Sequence, residues 1–229
     1  GVPKEEIAKF HFDAAPTDEQ FAMFEARKDE AFNAHLTAHI GSVAYIAHET
    51  DLLPIGMAIG PFSLAGRLVG LSEACGLTLD NPGLMHSVLE KCTSFLTAYV
   101  QAFKAAGADG VIMAEPAAGL LSPRGLSAFS ATYIKRIVQA VEDGQFQIIL
   151  HNCGAKLVHL PTILESGPNA FHFGAPMALA AALAKVPATT ILCGNLDPTA
   201  VFLQSTPEQL AAKTSALLAA TPAHRNFVI

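Results

Sequence analysis

Two hydrophobic rhythms alternate along this chain. Short apolar runs of strand character occupy residues 53–60, 110–115, 146–151, 169–174, 189–193 and 226–229. Between them, apolar residues recur at helical spacing over 61–70, 81–106, 122–142, 155–165, 177–185 and 207–220. The first fifty residues read as helix: Pro16-Thr17-Asp18-Glu19 supplies an N-cap, and Phe21, Phe24, Phe32 and Leu36 follow at helical spacing. Repeated short strands and helices predict an α/β fold of parallel strands joined by right-handed crossovers.

Two architectures compete for that pattern, an open doubly wound sheet and a (β/α)8 TIM barrel. No G-x-G-x-x-G follows any strand, so the dinucleotide fingerprint of the doubly wound class is missing. Polar residues instead collect at the carboxyl ends of the strands: Glu115, His151 with Cys153, His172, and Cys193 with Asn195 and Asp197. In a barrel those ends form one rim, where active sites lie. The expectation is one barrel domain over 1–229, with 1–50 packing as a helical segment on barrel repeats 51–229. Six or seven strands fall short of eight, which leads to the expectation of a chain cut at both ends.

Composition narrows the class further. The chain is 51% hydrophobic and 15% charged, yet Pro and Gly interrupt every run before the roughly 18 to 20 apolar residues of a membrane helix. Strands buried on both faces account for the excess. A net charge of −6 without a basic cluster argues against nucleic acid. Four cysteines and no signal-like start point to a reducing cytoplasm, with thiols for chemistry rather than disulfides.

The best chemical signal is Gln147-Ile148-Ile149-Leu150-His151-Asn152-Cys153-Gly154. Residues i and i+2 of a strand share a face, so an imidazole and a thiol aim at one point before Gly154 turns the chain away. His and Cys are preferred zinc ligands, although a lone Cys is more often a small buried hydrophobe. At Gly60-Pro61-Phe62-Ser63-Leu64-Ala65, helix N-terminal amides can hold a carboxylate or phosphate, or the segment is an ordinary turn. Glu115 ends a buried strand and needs a partner, as ligand or proton handler. His172 alternates with Phe171 and Phe173 and faces the other way. Asn195 and Asp197 sit among turn formers, where such side chains commonly bond their own backbone. Cys75 and Cys92 read as packing residues, and the other histidines form no ligand spacing.

Taken together, Gly60 to Ala65, Leu121-Ser122-Pro123, His151-Asn152-Cys153-Gly154, Phe171-His172-Phe173-Gly174 and Gly194-Asn195-Leu196-Asp197-Pro198 resemble the uroporphyrinogen decarboxylase superfamily, in the family's order and from about residue 50 onward. The resemblance implies a (β/α)8 barrel and one of two chemistries. In the zinc-dependent branch, a methyl group moves from the methylcobalamin of a corrinoid protein to a thiol such as coenzyme M. The other branch is the cofactor-free decarboxylase of haem synthesis, whose Arg-rich N-terminal segment has no counterpart in residues 1–50. A barrel that binds a corrinoid or tetrapyrrole without catalysis is a third reading. The methyltransferase branch is the closest, with a corrinoid protein and a small thiol or other methyl acceptor as partners. The resemblance makes His151 and Cys153 zinc ligands, with a further Cys expected beyond Ile229 and Cys193 as the fallback. Glu115 is then a fourth ligand or a base orienting an imidazole, and Ser63, His172 and Asn195 bind substrate.

Overall fold

The computed structural model describes residues 30–221 and 226–229, with side chains from residue 34 onward in those spans. The expected N-cap at Pro16–Glu19, the aromatic positions Phe21 and Phe24, and the side chain of Phe32 lie outside them.

After helix α1 (Glu30–Glu49), the strands are β1 (Ile55–Ile59), β2 (Gly110–Ala114), β3 (Gln147–Asn152), β4 (Ala170–Phe173), β5 (Ile191–Cys193) and β6 (Phe227–Val228). All pairs are parallel, and the six strands lie in the order of the chain. A doubly wound sheet reverses its strand order at a switch point, whereas a barrel never does. Burial points the same way. Val111, Met113, Ile148, Leu150, Phe171, Phe173 and Leu192 face the helices and are at most 3% exposed. On the other face Met57 is 67% and Ile191 39% exposed. Helices on one side only make this the wall of a (β/α)8 TIM barrel. On the inner face Ala170 is 8% exposed, and Ile112 and Ile149 are partly buried.

Helix α2 (Pro61–Val69) ends at Gly70, whose φ of 98° redirects the chain into α3 (Leu71–Asp80). That second helix has no assignment from sequence, since its apolar residues follow no clean stripe. Helix α4 (Pro82–Ala105) starts where Asn81 caps the Leu84 amide, and packs on β1, β2 and α2. The single helix expected over 122–142 is instead α5 (Pro123–Leu126), a wide π turn at Ser127–Ala131, and α6 (Thr132–Val141). The turn lets Thr132 Oγ1 donate to the Ser127 carbonyl at 2.9 Å, and it carries Ser130 inward. The two following helices are shorter than expected: α7 spans Leu160–Leu164 and α8 spans Leu179–Leu183. Helix α9 (Pro207–Ala220) has the expected limits, set by the Thr206–Gln209 capping box. No described helix is long and apolar enough to cross a membrane.

Gly194 is among the glycines needed for close strand packing. Gly194 has a φ of 116°, and an added Cβ would collide with the Phe173 carbonyl oxygen. Gly194→Ala is therefore expected to cost roughly 2 kcal/mol or more in denaturant unfolding. Gly41→Ala, inside α1 with nothing within 4 Å of the new methyl group, is expected to stabilise by about 0.5–1 kcal/mol.

Candidate functional site

Strand register aligns one residue from each strand on the inner face. Ile59, Ala114, His151, His172, Cys193 and Val228 form a continuous row at the carboxyl ends. Beneath it runs an apolar row of Met57, Ile112, Ile149, Ala170 and Ile191. Above it, Cys153 is exposed at the turn that follows β3. The buried Asn152 side chain shapes this turn by accepting the Gly154 amide at 3.2 Å. Gly174 lies against the Cys153 backbone, leaving no room for a Cβ there.

His151 and His172 meet at the middle of the row. Their Nδ1 atoms are 2.6 Å apart, with ring centroids 4.7 Å apart and ring planes inclined by 30°. Burial lowers the pKa of both imidazoles, and the neighbouring His172 lowers His151 further. Both shifts favour the neutral imidazole, which has one bare ring nitrogen for a ligand or a proton. Cys193 flanks His172 in register, half-buried, with its thiol pKa raised by burial.

The expected site residues divide into two groups. His151, His172 and Cys193 share the inner rim, and Cys153 is exposed in the turn just beyond it. Glu115 and Ser63 do not share it: strand alternation turns Glu115 outward, under the helices. Its carboxylate, 1% exposed, accepts the Phe62 amide at 3.1 Å, the Ser63 amide at 2.6 Å and the Ser63 hydroxyl at 2.6 Å. The helix N-terminus read as an anion site thus holds the protein's own carboxyl group. Gly60 has no space for a Cβ beside that carboxylate. Ser63 Oγ also accepts the Ala117 amide at 3.1 Å, which leaves it buried rather than facing a substrate. Glu115 touches the rim only through its backbone N–H, which donates to the His151 carbonyl at 2.8 Å. The roles expected for it, as ligand or as base orienting an imidazole, give way to a structural one.

Asn195 is a strut. Its amide donates to the Gly174 and Met177 carbonyls at 2.9 and 2.6 Å, fastening the loop after β4 to the loop after β5. Asp197 accepts the Thr199 and Ala200 amides, as its turn context suggests. The sequence offers no signal for Ser130, which is 1% exposed and bonds to Glu115 from the π turn. Cys92 is a packing residue, its thiol pushed up to about 12 by burial and the nearby Glu115 charge.

Among the described residues, no group of three or more His, Cys, Asp or Glu side chains is arranged to hold a metal ion. In kind, the rim donors fit zinc, which favours imidazole nitrogen and thiolate sulfur. His172 stands between Cys193 and His151 in the row. Two strand spacings, roughly 9–10 Å, separate their backbones.

A single-layered wall of parallel strands with nitrogen and sulfur donors at its carboxyl rim has the layout of a barrel enzyme. Residues 4–229 match the family model described as Uroporphyrinogen decarboxylase (URO-D), and the chain belongs to that family. Over 170 residues it is 31% identical to the methylcobamide:CoM methyltransferase MtbA of Methanosarcina mazei, covering 73% of this chain and 50% of that protein. Over 177 residues it is 31% identical to the uroporphyrinogen decarboxylase of Psychromonas ingrahamii, covering 72% of this chain and 49% of that one. The chain therefore spans about half the length of the curated relatives it matches. A solved methyltransferase from Methanosarcina mazei shares the fold, with a TM-score of 0.71 at 19% identity, over 82% of this chain and 56% of the other.

The buried carboxyl group makes a checkable prediction. Burial is the larger influence and disfavours the anion, while bonds from Ser63, Phe62 and Ser130 favour it; the balance raises the pKa from 4.5 to about 7. The folded chain thus holds a proton that the unfolded chain releases at lower pH. Its contribution to stability is full below pH 4.5 and is lost as pH rises to about 7, by up to roughly 3 kcal/mol. Denaturant unfolding across this range is expected to show that decline in the parent and to lack it in Glu115→Gln.

Proposed function

We propose that this chain forms the barrel wall of a corrinoid-dependent methyltransferase, which moves a methyl group between methylcobalamin on a partner protein and a small thiol or related acceptor. The observation that carries the reading is the rim itself. His151 lies on the inner face, two residues before an exposed Cys153, and a second imidazole supports it at 2.6 Å. Similarity to the MtbA methyltransferases supports the same reading.

His151 and Cys153 would hold zinc, and at least one further protein ligand is required for a tetrahedral site. When bound, the metal supplies the Lewis acidity that keeps an acceptor thiol deprotonated near neutral pH. The chain's own contribution is positional. The apolar row beneath the histidines lines the inner face with side chains that offer no polar group. Asn195 steadies the two loops that border the rim, and Asn152 sets the turn that presents Cys153. The cofactor carries the difficult chemistry, and the protein orients the groups around it.

The alternative, uroporphyrinogen decarboxylation, is favoured by one observation, the equal identity to proteins of that name. The two separate by metal analysis of the full-length protein. The expected outcome is one zinc per chain, with Cys153→Ala losing both the metal and thiol methylation from methylcobalamin. Zinc-free protein that decarboxylates uroporphyrinogen would overturn the proposal in favour of the alternative.

A further inference from the structure

The contact between His151 and His172 constrains the protons of both rings. A neutral imidazole carries one N–H and one bare nitrogen. Two bare nitrogens repel, so a 2.6 Å separation of Nδ1 atoms requires a proton between them. The ring that supplies this proton has its bare lone pair at Nε2, and the accepting ring carries its own proton at Nε2. The pair therefore presents one bare Nε2 and one Nε2–H, and cannot present two bare Nε2 atoms while the bond holds.

Strand context decides which ring is which. Two residues beyond His151, in the turn that follows the strand, stands the exposed thiol of Cys153. Two residues beyond His172 stands Gly174, which has no side chain to offer and is packed against the Cys153 backbone. A cation binding at the rim thus finds a sulfur partner on the His151 strand and none on the His172 strand. Metal-bound histidines almost always donate their second ring N–H to a neighbouring acceptor, which fixes tautomer and ring orientation. That acceptor is usually a carboxylate, a carbonyl or water. Glu115 cannot serve, because its carboxylate is bound under the helices.

We propose that His172 is a positioning residue for His151: its Nδ1 accepts the Nδ1 proton of His151 and so keeps the His151 Nε2 lone pair free for a zinc ion. This inference rests on the metal-ligand role proposed for His151 and gives His172 a task other than contact with substrate.

The test combines chelator-competition measurement of zinc affinity on the full-length protein with nitrogen-15 NMR of the histidine rings in the metal-free form. His172→Ala is expected to weaken zinc binding about 10- to 100-fold, with its unfolding midpoint near that of the parent. His172→Gln, whose side-chain oxygen accepts the same bond, is expected to recover most of that loss. In the metal-free parent, His151 is expected to show a protonated Nδ1 and a bare Nε2. Zinc binding by His172→Ala as tight as the parent's would refute the positioning role. So would a His151 ring protonated at Nε2. Loss in His172→Ala as complete as in His151→Ala, without rescue by Gln, would make His172 a direct ligand and also refute it. A parent that binds no zinc sinks the functional reading instead, and the NMR measurement still decides the tautomer.

Discussion

Removing a carboxyl group from water is expensive, and at 1% exposure Glu115 sets a condition that its surroundings must meet. They meet it with two amides from the first turn of α2, the Ser63 hydroxyl, and Ser130 from the π turn. Hydrogen bonds to a charged group are worth about 1.5–3 kcal/mol each, and here they offset part of the burial. Meeting that demand joins several parts of the chain. The turn after β1, the start of α2, the segment after β2 and the π turn before α6 converge on two oxygen atoms. Gly60 is tolerated only as glycine because the carboxylate occupies the space its side chain would need.

The same residue shows how one strand end can serve two purposes. Glu115 follows Ala114, which is paired with His151, and its backbone N–H reaches the His151 carbonyl. Side chains alternate across a strand. The carboxyl group therefore works in the helix layer, while Ala114 and His151 line the inner face. Stability chemistry and rim chemistry are separated by the thickness of one sheet, yet joined through one backbone bond. A disturbance of the α2 N-terminus has a direct route to the strand that carries His151 and Cys153.

Family membership narrows the function without completing it. Relatives named as methyltransferases match at 30–31% identity and relatives named as decarboxylases at 28–34%, and each match covers about half of the relative. On the rim, an exposed thiol lies two residues beyond one imidazole, and a second imidazole is held against that ring.

Much of the fold was legible in the chain itself. Apolar runs with period-2 character marked all six strands, because burial against helices demands continuous apolar faces there. The helix read over 207–220 is α9 as it stands. Polar residues at strand ends pointed to a barrel, and the parallel register brought His151, His172 and Cys193 into one row. Other features depended on contacts between residues distant in sequence. Helix α3 lacks a clean apolar stripe, and the π turn interrupts what local pattern reads as one helix. The carboxylate of Glu115 was expected at the rim and lies beneath it, because its partners are Phe62 and Ser63, more than fifty residues earlier. His172 was expected to meet substrate, and its nearest polar partner is His151, 21 residues away. Periodicity reports which face a side chain occupies; only the folded sheet decides which strand stands beside it.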